Sequence, residues 1–220
     1  MNAPLRRPST SSRRSAKLAN LLLKHMPTAH MELTHRSAWE LLVATILSAQ
    51  CTDQRVNQVT PGLFSRFRTP QDFASAPQTE LEQLIKPTGF YKNKAKHLIG
   101  CGRAVADRFG GRVPERMEDL TTIPGVGRKT ANVLRGNAFG KPAIVVDTHV
   151  KRVANRLALT TSDDPEVIEQ DLQRQFPEAQ WTDVSQRLLL HGRYVCLART
   201  PRCASCFLYQ DCSWKGKLPR

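Results

Sequence analysis

The stretch Leu120-Thr-Thr-Ile-Pro-Gly-Val-Gly-Arg-Lys-Thr-Ala131 leaves its backbone few options. Pro124 and the glycines at 125 and 127 end one short helical pattern. A second begins at once and runs from Gly127 to Phe139, so the segment reads as helix, tight hairpin, helix. Gly125 and Gly127 permit positive φ and, lacking Cβ, let another molecule approach the main chain. The amides that open the second helix have no intrahelical acceptor and lie at the positive end of its dipole, which makes a site for a phosphate. Val126 sits in the bend, and Arg128 and Lys129 lie in that first turn.

Helical spacing governs nearly all of the remaining chain. Arg13 to Met26 carries Leu18, Leu21 and Leu22 on one face. Ser37-Ala-Trp-Glu40 has the form of a capping box. The helix it opens is apolar nearly all round through Trp39, Leu41, Leu42, Val43, Ile46 and Leu47, as befits the centre of a domain, and it delivers Ser48, Gln50 and Asp53 at its end. Asp53 to Phe67 reads as a helical stretch that Pro61 interrupts or kinks, and Thr69-Pro70 and Thr79 to Glu82 read as helix starts, the second stopped by Lys86-Pro87. A short loop with exposed aromatics, Thr88-Gly89-Phe90-Tyr91, precedes a helix marked by Ala95, Leu98, Ile99, Gly102, Val105, Ala106 and Phe109 and closed by Gly110-Gly111. Beyond the hairpin, Ala143 to Val146 is the one strand-like run, too short for a sheet. Thr148 is expected to cap a helix, Asp164-Pro165 to start another, and Trp181 to Ala198 to form the last. About ten helices without a sheet make an all-α fold.

Charge narrows the partner. Over 220 residues, 33 Lys+Arg against 19 Asp+Glu give a net charge of +14, which suits a polyanion. Nucleic acid stands ahead of a membrane, because no basic amphipathic helix with an aromatic face stands out and no apolar run spans a bilayer. No signal peptide is visible, so a cytoplasmic, nucleoid-associated location is expected. The first fifteen residues, rich in Ser, Pro and Arg without acids, read as a flexible basic tail, a composition that short organellar targeting sequences share.

Six cysteines in such a chain argue against a disulfide framework. Cys51 and Cys101 fall in apolar helical patterns and read as inert core thiols. Cys196, Cys203, Cys206 and Cys212 instead crowd four thiols into 17 residues, with one Cys-x-x-Cys pair. Four thiolates suit a [4Fe-4S] cluster, and the spacing alone leaves structural zinc open. Such a centre would fold the basic loop formed by Arg199 to Arg202 and Lys215 to Lys217, which could then lie along phosphates.

Lys129 and Asp147 are the candidates for chemistry, although a lysine on an exposed helix is usually a solvated charge. A lysine is a nucleophile only as the neutral amine, so a reactive one needs burial or neighbouring positive charge; a helix N-terminus and Arg128 supply such charge here. Asp147 stands alone in an apolar run and is suited to take a proton or balance a cationic transition state.

The hairpin residues, the downstream Val146-Asp147-Thr148-His149 and the four cysteines together resemble the endonuclease III family, helix-hairpin-helix DNA glycosylases with abasic-site lyase activity. The likeness runs from about Ser37 to Trp214. It implies a six-helix barrel-like domain over residues 31–141 carrying the hairpin, an iron-sulfur cluster domain from residues 16–30 and 142–220, a DNA-binding cleft flanked by the two, and a tail over residues 1–15. By the same resemblance Lys129 is the Schiff-base nucleophile, Asp147 its carboxylate, and Cys196, Cys203, Cys206 and Cys212 hold a [4Fe-4S] cluster. Gln50 and Phe90 plug the duplex, although the family commonly has an aliphatic residue where Phe90 stands. Gly125, Val126, Gly127 and Arg128 meet the DNA backbone. Ser48, Asp53 and His149 line the lesion pocket, each equally readable as a local hydrogen-bonding residue.

The implied function is removal of oxidised pyrimidines from duplex DNA in base excision repair, by a lysine Schiff base and β-elimination. The enzyme would act as a monomer on double-stranded DNA holding an oxidised pyrimidine or an abasic site. A mismatch-specific adenine or thymine glycosylase is the nearest alternative, but such relatives generally lack the hairpin lysine. A non-catalytic helix-hairpin-helix DNA-binding protein has no use for Lys129 with Asp147. Nucleotide hydrolysis, suggested by Gly-Val-Gly-Arg-Lys-Thr, fails the Gly-x4-Gly-Lys-Ser/Thr spacing.

Overall fold

The structure, a computed structural model, describes residues 10–219. Eleven α-helices and four short 3-10 turns, with no strand among the described residues, make an all-α fold. The chain divides into two compact units: Met31–Lys141, and a second whose described parts are residues 10–30 and 142–219. In chain order the helices are α1 (Thr10–His25), α2 (Ala38–Leu47), α3 (Asp53–Arg66), α4 (Pro70–Ala74), α5 (Gln78–Ile85), α6 (Tyr91–Phe109), α7 (Met117–Leu120), α8 (Arg128–Asn137), α9 (Thr148–Arg156), α10 (Pro165–Gln175) and α11 (Trp181–Tyr194).

Within Met31–Lys141, α2 is the central helix. Every side chain from Leu41 to Leu47 is buried, and the helix touches α3, α6 and α8. Its start departs from a capping box in one respect. Ser37 Oγ accepts from the Glu40 amide at 3.2 Å, but the Glu40 carboxylate reaches past Ser37 to the Arg36 amide at 2.7 Å and to the Arg36 guanidinium. The reciprocal box forms instead at Thr69 and Asp72, where it opens α4. Backbone donors from Arg68 and Thr69 hold the Asp72 carboxyl below its ordinary range. Pro61 lies inside α3 without ending it. Gly102 lets α4 rest directly on α6: a Cβ there would stand 2.7 Å from Pro70 O and 2.8 Å from Ala74 N. Gly110, at φ +58, ends α6, and the Gly111 amide bonds back to Val105 O at 3.0 Å.

In the other unit, α1, α9, α10 and α11 enclose a core that includes Leu18, Leu22, Val150, Val153, Leu172 and Leu188. The strand-like run 143–146 pairs with a helix instead of another strand. Ala143 N donates to Thr182 Oγ1 at 3.2 Å, and the buried Ser185 hydroxyl both accepts from Val145 N at 2.8 Å and donates to Val145 O at 3.1 Å. Two side chains of α11 thus satisfy a buried extended backbone that has no sheet to join.

Helix α1 begins at Thr10, so residues 10–15 are helix and not tail; residues 1–9 of the expected tail lie outside the described residues. Burial of Ser15 and the bonds of Arg14 to Leu157 O, Asp211 O and Ser213 Oγ supply the reason. Helix α11 stops at Tyr194, short of Ala198, because the amides of Val195 and Cys196 both turn back to His191 O. No helix among the described residues is long and apolar enough to cross a membrane.

Candidate active site and cysteine centre

The hairpin is seated on α6 and pinned by two apolar side chains. Ile123 and Val126 are buried, and the Val126 amide donates to Ile123 O at 3.0 Å to close the bend. Gly125 has φ +82, and a Cβ on it would come within 3.1 Å of His97 Cβ, so its place is fixed by backbone conformation and by contact at once. Pro124 lies against Gly100, where a Cβ would approach it to 3.2 Å. Gly127 behaves differently from expectation. Its φ of −92° is ordinary extended backbone, and it serves as the N-cap of α8 with open space where a Cβ would stand. Val126, expected at the DNA, has its side chain in the core, so only its main chain can reach a ligand.

No side chain caps α8 and no acidic residue stands in its first turn. A helix start of this kind, at the positive end of the dipole, suits an anion. Arg128 and Lys129 are both exposed there.

In the other unit Asp147, not Thr148, is the N-cap of α9. Its Oδ1 accepts from His149 N at 2.9 Å and from Val150 N at 2.8 Å, and neither bond uses Oδ2. A cap fixes the carboxylate on a rigid element while leaving an oxygen to act. His149 faces inward to α11. Its Nδ1 is 3.2 Å from an Arg152 guanidinium nitrogen, and its Cβ lies where a Cβ on Gly192 would come within 2.8 Å. These contacts give His149 a local bonding role. Ser48 likewise donates to Thr45 O at 2.8 Å as the C-cap of α2, and Asp53 opens α3 next to its cap Thr52.

Gln50 and Phe90 share an uncommon property. Both are exposed, Phe90 at 65 %, and both have left-handed backbone, with φ 52 and φ 47. For a residue with a Cβ that conformation costs about 1–2 kcal/mol, so the surrounding structure holds each side chain out against a local preference. Lys94, for which the sequence pattern carries no functional signal, is buried between the segments that bear them. It lies on the apolar face of α6 with Leu98, Cys101 and Val105.

Cys196, Cys203, Cys206 and Cys212 line one small pocket together with Val153, Arg156, His191 and Trp214, and none is in a disulfide. Among the described residues no three His, Cys, Asp or Glu side chains converge as ligands of a single ion would. Burial first, and proximity of the other three thiols after it, raise the Cys206 thiol above its ordinary value, so four thiolates there require positive charge among them. Arg156 donates to Cys196 Sγ at 3.2 Å and stacks on Trp214 at 3.8 Å. His191 Nε2 is 3.7 Å from Cys206 Sγ. Arg152 grips the same loop through Cys196 O and Gly192 O, at 3.0 and 2.6 Å. Lys217, expected on phosphates, turns inward to Cys212 O and Tyr209 O, while Arg199, Arg202 and Lys215 are exposed. Sequence patterns carry no signal for Arg152, Arg156 or His191, whose partners are main-chain oxygens and sulfur about forty residues away or, for His191, fifteen.

Residues 43–178 match the model of the HhH-GPD superfamily base excision DNA repair proteins. An endonuclease III from Synechocystis sp. is 46% identical over 213 residues, covering 96% of this chain and 97% of that protein. Among solved structures, a non-covalent endonuclease III–DNA complex and a trapped covalent endonuclease III–DNA intermediate each superpose with a TM-score of 0.88 at 43% identity, covering 92% of this chain and 95% of theirs.

Proposed function

Because the chain belongs to the endonuclease III family, DNA glycosylases with abasic-site lyase activity, we propose that Lys129 is its nucleophile and Asp147 its assisting carboxylate on oxidised pyrimidines and abasic sites in duplex DNA. The observation that carries this reading is an exposed lysine in the first turn of a helix with no capping side chain and no acid, set behind a glycine bend. A backbone phosphate accepts from the opening amides of α8, which fixes register without reading sequence. The damaged nucleotide leaves the stack, and Gln50 and Phe90 take up the space it vacates. Lys129 Nζ bonds to C1′ as the glycosidic bond breaks and the electron pair departs with the base. The nitrogen lone pair then opens the C1′–O4′ bond, O4′ takes up a proton to become the 4′-hydroxyl, and the imine results; loss of its C2′ proton breaks the C3′–O bond and expels the 3′ phosphate by β-elimination. Asp147 receives the proton that the lysine must shed and offsets positive charge at the sugar.

Cys196, Cys203, Cys206 and Cys212 would hold a [4Fe-4S] cluster. The donor set fits: four thiols outside any disulfide line one pocket, with Arg156 donating to Cys196 Sγ and His191 Nε2 3.7 Å from Cys206 Sγ. When bound, the cluster supplies the positive charge that lets four neighbouring thiolates coexist. An absorbance band in the visible for freshly purified protein, with iron and not zinc by elemental analysis, is the expected outcome.

Borohydride should trap a covalent adduct between this protein and duplexes holding thymine glycol or an abasic site. Lys129→Ala should lose trapping and retain binding. Strand cleavage that persists in Lys129→Ala would remove the lysine from the mechanism.

A further inference from the structure

A buried ammonium is costly, and a methionine would fill the same space without that cost. Lys94 is nevertheless 4% exposed and buried among the apolar side chains of α6. Its Nζ donates to Leu47 O at 2.8 Å and to Thr88 O at 2.8 Å. Leu47 is the last residue of α2, and Thr88 the last of the 3-10 turn Lys86–Thr88, places where intrahelical donors run out. Each oxygen lies just upstream of one member of the exposed left-handed pair. Gln50 stands three residues beyond Leu47, and Phe90 stands two beyond Thr88. Lys94 also donates its own amide to Phe90 O at 3.1 Å. One side chain therefore holds both carrier segments within the reach of a single ammonium.

We propose that Lys94 is a positioning residue that sets the spacing between Gln50 and Phe90, so that they enter the duplex as a matched pair. The inference rests on the reading of those two side chains as gap fillers. Lys94 touches no part of the DNA; it acts through the two main-chain oxygens. Two separately mobile loops would each have to find the gap, whereas a joined pair loses that freedom once, on folding.

The test compares single-turnover borohydride trapping on an abasic site in duplex and in single-stranded DNA, because a single strand has no gap to fill. Lys94→Met should slow duplex trapping by about tenfold to a hundredfold while single-stranded trapping stays within about twofold of wild type. 2-Aminopurine opposite the lesion should lose its fluorescence change in step. In a Gln50→Ala/Phe90→Ala background, Lys94→Met should add nothing further, since all three changes remove one function. Lys94→Arg keeps charge and donors and should recover part of the duplex rate; it also supplies the comparison if the methionine variant does not fold. Equal loss on both substrates, or an unchanged duplex rate, would overturn the role of Lys94. An unchanged duplex rate in Gln50→Ala/Phe90→Ala alone would instead remove the gap-filling reading, and this inference with it.

Discussion

The carboxylate of Asp147 both caps α9 and is the group proposed to take the lysine's proton, and two substitutions separate these duties. Asparagine is as good an N-cap as aspartate, so Asp147→Asn should leave the thermal midpoint nearly unchanged while slowing borohydride trapping. Asp147→Ala should slow trapping and also lower stability by about 1 kcal/mol, read as a shift in midpoint. Cys101 gives a simpler expectation. Burial pushes its thiol up to about 12, so it stays protonated at neutral pH, and iodoacetamide should leave it unlabelled in the folded protein and modify it after denaturation. That inertness is legible in the sequence, since Cys101 falls on an apolar helical stripe. Lys94 falls on the same stripe and is not legible there, because a lysine among apolar positions carries no mark of the two carbonyls that need it. Lys129 and Asp147 stand out through their motif. The cap position itself points in sequence to Thr148, because both residue types suit it, and only the structure assigns it to Asp147.

At the scale of elements, the contact between α9 and α11 decides where Asp147 stands. Gly192 on α11 admits His149 and Val153 of α9 so closely that a Cβ would stand 2.8 Å from His149 Cβ and 3.1 Å from His149 O. Gly192→Ala should therefore push α9 away, destabilise the fold by about 1–3 kcal/mol and slow trapping on all substrates, a combination that Asp147→Asn will not show. Ser185→Ala removes both hydroxyl bonds to buried Val145 and should cost about 1–3 kcal/mol, measured by denaturant unfolding. Helix existence is largely readable from spacing, turn residues and caps, as α2, α6 and α10 illustrate. The run Ala143 to Val146 is not, because its partners are two hydroxyls on a helix some forty residues later, and no local pattern announces them.

For the whole molecule the governing quantity is the net charge of +14. Binding to duplex DNA should weaken steeply with salt, with a log–log slope of about −5 if six phosphates are neutralised; a flat response in fluorescence anisotropy would contradict phosphate-led binding. The bonds of Arg14 to the loop around Asp211 span 197 residues of chain, and Lys17 pairs with Asp211 from the same helix at 2.6 Å. Met31–Lys141 is one unbroken stretch of chain with its own central helix. As the polypeptide leaves the ribosome, that segment can finish folding before the residues around Asp211 emerge, while α1, made before it, gains its bonds to them only afterwards. Birth order and folding order are thus opposed for these two parts of the chain: the helix made before that segment is secured after it.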